Sequence, residues 1–341
     1  MRIGICTRYE NHESTHMAVR FATLFTNELG ADVSMLTMSQ NHSSICKHWD
    51  QAVVDNAKVP FSKWAVDLTC IVWTTIPHVE QIRWARRQGK RTVIAVLWHE
   101  IETADDMHAM AAVDFVLCPH RSCYAYLKTA GLGNLICAAW DCGQPFHTKP
   151  IPYEITEPSI LVPLWDGNAR RSEMTLVHLL ESLVRRYANL KVTVACNSST
   201  MVTTAGRRLS RNPRIAVVRG THPSTRFKLF QQHDLTLYPS QFESTGMTAI
   251  QSLELGTPLV AFGYRPMTEL LTTTNSVMIP CDEELNDIGF PRAVPNYAAM
   301  EEGLCYLLND PEYLRQLQGT TLLGLSQRRE AFTSAVRHAV G

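Results

Sequence analysis

Residues 235–271 read LTLYPSQFESTGMTAIQSLELGTPLVAFGYRPMTELL. Leu235 to Tyr238 is a short apolar run, and Pro239-Ser240 stops it. A polar loop follows, carrying Glu243, Ser244, Thr245 and Gly246. A helix then starts near Met247, runs to Leu255 and meets a C-terminal stop at Gly256. Pro258 to Phe262 returns to strand, and Met267 to Leu271 has the spacing of a short helix. Strand, helix, strand with continuously apolar strands predicts a parallel sheet covered on both faces. Ligands of such sheets bind beyond the carboxyl ends of the strands, so the loop after Tyr238 is where chemistry is expected.

The same alternation extends in both directions. Toward the N-terminus of this half, strands are expected at Ser159–Leu164, Lys191–Cys196 and Arg214–Val218, with helices at Ser172–Tyr187 and Ser224–His233. Toward the C-terminus, Val277–Ile279 is the last strand, and the chain ends in helical segments from Tyr297 to Leu308, Pro311 to Leu317 and onward toward Val340. The first half repeats the theme. Strands are expected at Arg2–Thr7, Asp32–Thr37, Leu68–Thr74, Thr92–Trp98, Phe115–Cys118 and Leu135–Ala139. Helices are expected at His16–Leu29, His78–Gln88 and Arg121–Thr129. Between the halves, Gln144 to Pro158 holds four prolines and no clear period, as a linker does. The expected division is residues 1–144, a linker at 145–158, a second domain at 159–320, and a last helix at 321–341 that packs back on the first domain. The fold class is α/β, with two doubly wound, Rossmann-like domains facing across a cleft.

The helix near Met247 gives the loop before it a chemical meaning. N–H groups at a helix start have no partners within the helix, and the helix dipole is positive there. That is a natural anion site, suited to a diphosphate. Gly246 lets the backbone approach closely, and Gln251, one turn in, has the reach to hold sugar hydroxyls.

Pro239-Ser240, Glu243, Gly246 and Gly256-Thr257-Pro258 in this register resemble glycosyltransferase family 4, a group of retaining enzymes with the GT-B architecture. Glu269 stands where that family carries an acid after the next strand. The resemblance implies a nucleotide-diphosphate sugar (a UDP- or GDP-sugar) as co-substrate, with no cofactor and no metal. It implies Glu243 as a catalytic-site residue holding sugar hydroxyls. Ser244, Thr245, Gly246, Met247 and Gln251 are implied as donor-binding residues. The family has a second Glu eight positions after the first; this chain has Gln251, which binds hydroxyls without charge. The family's basic diphosphate loop falls on residues 165–172, WDGNARRS, without the usual glycine–arginine–lysine pattern. Arg170 or Arg171 would supply the charge there. Asn197-Ser198 and Arg219-Gly220 lie in further donor loops. In the first half, Trp98-His99-Glu100 resembles the family's His-Asp near the transferred sugar, which makes His99 the second catalytic-site candidate. The loop after the first strand is not glycine-rich. It reads as a specialised acceptor loop with Tyr9, His12 and Glu13, and Ser14 or Thr15 would cap the next helix.

Bulk properties bound these expectations. The 341 residues carry a formal net charge of zero, 45% hydrophobic and 19% charged residues, as an ordinary globular protein does. Zero net charge gives no global pull toward nucleic acid or anionic membrane. Met1 to Cys6 lacks the long apolar core of a signal peptide, and no apolar run approaches the roughly 20 residues that cross a bilayer. Ten scattered cysteines without CxxC pairs fit a reducing, cytoplasmic location. Cys118, His120 and Cys123 fall short of a four-ligand zinc pattern. Arg83, Arg86, Arg87, Lys90 and Arg91 form a basic cluster that reads as a solvated face or as a phosphate contact. The unusual first loop also resembles virus-encoded transferases that glycosylate hydroxymethylated pyrimidines in DNA. The acceptor is therefore expected to be DNA, a glycan or a small molecule. Two other classes stay open: a GT-B hydrolase or epimerase acting on a nucleotide sugar, and a non-catalytic nucleotide-sugar binding protein.

Overall fold

The computed structural model describes the chain apart from residues 8–11, 38–52, 56–57, 144–145, 149–154, 165–172, 197–203, 220–222 and 287–288. The chain divides into two compact units, Met1–Gly143 with Gln327–Gly341, and Gln144–Ser326.

The first unit is built on β1 (Arg2–Thr7), β2 (Asp32–Thr37), β3 (Val53–Asp55), β4 (Cys70–Trp73), β5 (Arg91–Ala95), β6 (Phe115–Cys118) and β7 (Leu135–Cys137). All pair in parallel, in the order β3-β2-β1-β4-β5-β6-β7. The helices between them are α1 (His12–Leu29), α2 (Phe61–Trp64), α3 (Val79–Arg87), α4 (Ala104–Ala112) and α5 (Arg121–Thr129). β4, CIVW, is buried at every position, which is why it carries no polar–apolar alternation. Gly4 in β1 has no side chain because none fits: a Cβ there would stand 2.3 Å from Leu68 Cδ1 and 2.5 Å from Trp64 Cη2.

The second unit runs β8 (Ser159–Leu164), α6 (Glu173–Arg186), β9 (Lys191–Cys196), α7 (Thr204–Arg211), β10 (Ile215–Arg219), α8 (Pro223–Gln232), β11 (Leu235–Tyr238), α9 (Met247–Glu254), β12 (Leu259–Phe262), α10 (Met267–Leu270) and β13 (Ser276–Ile279). A hairpin of β14 (Asp282–Leu285) and β15 (Pro291–Val294) follows, then α11 (Tyr297–Asn309) and α12 (Pro311–Thr320). The parallel sheet has the order β10-β9-β8-β11-β12-β13. Leu161, Ala195, Leu229, Phe230 and Leu255 pack together as part of its core.

Both sheets carry the Rossmann strand order, in which the first and fourth strands lie side by side and the winding reverses between them. The same polar device fixes strand starts in both units. Asp114 accepts from the Thr92 N–H and hydroxyl at 2.8 Å each, tying β5 to the start of β6. Asp234 accepts from the Ser159 N–H at 3.0 Å and hydroxyl at 2.6 Å, tying β8 to the start of β11.

The last helix, α13 (Leu325–Val340), belongs with the first unit from Gln327 onward. Phe332 lies 5.9 Å from Phe21 and 5.0 Å from Trp140, ring centre to ring centre. Beside them, buried Asp141 accepts from Arg20 at 2.8 Å and Arg329 at 3.2 Å, and Arg328 donates to the Trp140 carbonyl at 3.3 Å. Arg91 closes the C-terminal end of α13, donating to the Ala339 and His338 carbonyls at 2.7 and 3.1 Å.

Several elements differ from the sequence expectation. Helix α1 begins at His12 rather than His16, so Ser14 is buried inside it and does not cap it. β5 ends at Ala95, and Trp98–Glu100 is a separate turn of 3₁₀ helix. The short strand β3, helices α2, α4 and α7, and the β14–β15 hairpin were not expected. Helix α4 does announce itself by a cap: Thr103 accepts from the Asp106 N–H, and Asp106 accepts from the Thr103 N–H.

Candidate functional site

The winding of the second sheet reverses between β8 and β11. The loop leaving β11, residues 239–246, therefore sits where open α/β sheets take their ligands. This loop is deeply packed. Ser240, Glu243, Ser244 and Thr245 are all buried, with Glu243 only 2% exposed. A buried carboxylate must be hydrogen-bonded, and this one is. Its Oε1 accepts from the Tyr238 hydroxyl and from the Ser240 hydroxyl, each at 2.5 Å.

Gly246 is the N-cap of α9 and has φ +67°, the left-handed region that glycine enters without a steric penalty. A Cβ there would stand 2.1 Å from Leu270 Cδ1, so conformation and space both select glycine. The first N–H bonded into the helix is that of Ile250, to the Gly246 carbonyl at 3.0 Å. The N–H groups of Met247, Thr248 and Ala249 lie ahead of that ladder, at the positive end of the helix. No acidic residue occupies the first turn.

Polar groups behind α9 hold this tip in place. Ser252 in α9 shares a hydrogen bond of 2.7 Å with Thr236 of β11 and donates to the Thr257 carbonyl at 2.8 Å. Thr257 in turn donates to the Phe230 carbonyl at 2.5 Å. These buried bonds link the helix to β11 and to the turn into β12. Gln251, four positions after Met247, is 8% exposed, and its carboxamide has no hydrogen-bond partner among the described residues. A polar group so placed is one that a bound molecule would satisfy.

The structure thus gathers Glu243, Ser244, Thr245, Gly246, Met247 and Gln251 around one helix tip. Arg170, Arg171, Asn197 and Tyr9 lie outside the described residues. His12 and Glu13 belong to the first turn of α1, not to the loop before it. His99 lies in the 3₁₀ turn, four residues beyond the end of β5. The part of the site that sequence reasoning missed is Tyr238. A tyrosine at the carboxyl end of a strand, five residues before a loop glutamate, was the available signal.

In the first unit the winding reverses between β1 and β4. The β4 exit is held against β1 by the Thr74 N–H, which donates to the Cys6 carbonyl at 2.9 Å. A surface cavity of about 760 Å³ opens just past this exit, between α3 and α4, with His78, Glu80, Arg83, Asp105 and His108 among its lining. Four of the five residues of the basic cluster are engaged by the protein itself. Arg83 pairs with Glu80 at 2.6 Å, and Arg86 with the Ala112 carbonyl at 2.9 Å and Asp114 at 3.5 Å. Buried Lys90 donates to the Val66 and Leu68 carbonyls at 2.8 and 2.7 Å, and Arg91 holds α13. His120 caps α5: its Nδ1 accepts from the Cys123 N–H at 3.1 Å. Among the described residues no group of three or more histidine, cysteine or acidic side chains has a metal-holding arrangement. Among them, too, no helix is long and apolar enough to cross a membrane.

No protein-family model matches the sequence, and no curated protein matches it. Solved structures do. A glycosyltransferase from Rickettsia africae is similar over 99% of this chain and 97% of its own, at 9% identity and a TM-score of 0.73. Sucrose-phosphate synthase from Thermosynechococcus elongatus is similar over 99% and 98%, at 14% identity and a TM-score of 0.70. UDP-GlcNAc 2-epimerase from Neisseria meningitidis, bound to UDP-GlcNAc, is similar over 100% and 99%, at 10% identity and a TM-score of 0.66. At these identities the likeness establishes the fold: two Rossmann-like units in the GT-B architecture.

Proposed function

We propose that this protein is a retaining glycosyltransferase that takes its sugar from a UDP- or GDP-sugar and passes it to a hydroxyl acceptor. The second unit is the donor side and the first the acceptor side. One observation carries the proposal. At the reversal point of the second sheet, a buried helix start with a left-handed glycine cap stands beside a nearly buried, unpartnered carboxamide. An anion fits the helix start, and a hydroxyl-bearing group fits Gln251. The GT-B likeness, which includes an epimerase bound to UDP-GlcNAc and a glycosyltransferase, supports a nucleotide sugar as that molecule.

In the proposed reaction the bond between the anomeric carbon and the diphosphate oxygen breaks, and a bond to the acceptor oxygen forms on the same face. The acceptor proton passes to the departing diphosphate. The α9 start, with Ser244, Thr245 and Met247, stabilises the charge that develops on the leaving group. Arg170 or Arg171 adds to it. Glu243 holds sugar hydroxyls, Gln251 holds donor hydroxyls, and His99 orients the sugar or the acceptor. Tyr9, His12 and Glu13 contact the acceptor. No cofactor and no metal takes part. A glycan or small hydroxyl compound fits the first unit better than DNA does. The basic cluster is largely spent on internal contacts, which leaves few cations there to meet a phosphate backbone. Ten scattered cysteines without CxxC pairs are in keeping with a cytoplasmic location.

The epimerase likeness favours a second reading, turnover of the nucleotide sugar with no acceptor. Incubation with a panel of UDP- and GDP-sugars, with and without glycan and DNA acceptors, separates the readings. Acceptor-dependent release of nucleoside diphosphate is expected. Acceptor-independent turnover would establish the second reading, and binding without turnover a sensor. Absence of any nucleotide-sugar binding would end the proposal. For a donor that binds, Gln251→Ala should weaken affinity about tenfold and leave the melting temperature nearly unchanged, because the carboxamide has no protein partner to lose.

A further inference from the structure

Glu243 and Gln251 are both nearly buried, yet their polar surroundings differ. Gln251 has no hydrogen-bond partner among the described residues. Glu243 has two hydroxyls on one carboxylate oxygen, from Tyr238 at 2.5 Å and Ser240 at 2.5 Å. Tyr238 is the last residue of β11 and 1% exposed; Ser240 follows two positions later and is also 1% exposed. Neither hydroxyl is needed to close the sheet ladder. The Ser240 hydroxyl lies 3.1 Å from the Phe242 carbonyl, the longer of its two contacts. A hydroxyl donating to a carboxylate favours its ionised form and fixes its rotation, because the donor must lie near the lone-pair plane.

We propose that Tyr238 and Ser240 are positioning residues for Glu243, locking its carboxylate against the rigid end of β11 so that it meets the sugar of the bound donor in one orientation. The inference rests on the function proposed above. Its physical core is pre-organisation: a carboxylate on a loop has rotamers to lose on binding, and two buried donors remove that freedom beforehand. One donor, Tyr238, is the last residue of β11, and the other, Ser240, lies two positions past the strand in the buried loop that carries the glutamate. The lock acts on the sugar and not on the nucleotide, since the diphosphate is assigned to the helix start at Gly246-Met247.

The test compares Tyr238→Phe, Ser240→Ala and Ser240→Thr with the wild type on a nucleotide sugar that the wild type turns over. Affinity for the free nucleoside diphosphate is read by calorimetry, and kcat and KM by product release. Tyr238→Phe should lower kcat about tenfold, the size of one hydrogen bond to a charged group, with diphosphate affinity within about twofold of wild type. Ser240→Ala should lower kcat severalfold, and Ser240→Thr, which keeps the hydroxyl, should restore most of it. Equal loss of diphosphate affinity and turnover in Tyr238→Phe and Ser240→Ala would mean general damage to the loop, and would overturn the positioning role. Unchanged kcat in both would overturn it as well. A wild type inert toward every donor would instead overturn the function on which the inference rests, a result visible before any variant is made.

Discussion

At the scale of single residues, the clearest constraint is Gly246. Its φ of +67° and the 2.1 Å approach of Leu270 Cδ1 act together. Gly246→Ala should destabilise the protein by about 1–3 kcal/mol, the usual cost of a non-glycine residue in that region with a clash added. Donor binding should fall with it, because relief of the clash has to move either Leu270 or the helix start. Thermal denaturation and nucleotide titration check the two halves separately; a fully stable variant with wild-type affinity would refute the account. The importance of Gly246 was legible in the sequence, since a glycine between a polar loop and a helix start has few other meanings. The Tyr238–Glu243 contact was not. Sequence spacing shows that two residues are near along the chain, but not that a strand-end tyrosine turns its hydroxyl onto a loop acid.

At the scale of elements, long apolar strands and helices closed by glycine were readable, because burial on both faces leaves a continuous apolar run. Short elements were not. β3 has three residues and α2 four, too few for any period to show. The β14–β15 hairpin reads DEEL in its first strand, exposed at every position, so no apolar pattern marks it. The start of α1 was misplaced for another reason: Ser14 and Thr15 are good capping types, yet the helix is already formed at His12, ahead of both. The element-scale prediction concerns α13. Asp141 is 1% exposed, and Arg20, 8% exposed, is one of the two cations paired with it. Asp141→Ala leaves a buried guanidinium without its carboxylate, and such breaks cost about 3–5 kcal/mol. Chemical denaturation of the first unit's transition should show a loss of that size, and amide exchange in 327–341 should accelerate. A loss below about 1 kcal/mol would mean that apolar packing around Phe332 alone holds the helix.

At the scale of the whole molecule, two doubly wound sheets were expected and two are found, each with a reversal of winding that fixes where its ligand-facing loops emerge. Sequence alternation supplies the strands but not their spatial order, so those reversal points had to be seen. Charge pairs shared among surface elements set the response to acid. Arg208 donates to both oxygens of Glu181, at 2.8 and 2.5 Å, and holds its carboxyl below the ordinary range. Arg265 does the same to Glu283, with the Arg265 N–H adding a bond of 2.9 Å. A lowered folded-state value means that the stabilising contribution is complete above the unfolded carboxylate range, starts to fall there, and is lost as pH falls on through the lowered folded-state value. The melting temperature should therefore hold level from about pH 7 to pH 5 and drop below about pH 4.5. Added salt should shrink the drop, because both arginines are well exposed. A melting temperature that rises on acidification would contradict these pairings.

The two units differ in a way that matters while the polypeptide is being made. Gln144–Ser326 is one continuous stretch, so everything it needs is at hand once its final residue leaves the ribosome. The other unit starts first and finishes last. Phe21 and Trp140 emerge early and must wait for Phe332, which is added only after the whole of Gln144–Ser326, before their shared apolar surface closes. A message cut off just after the codon for Ser326 would thus impair the earliest-made part of the protein, and leave intact the part whose synthesis came later.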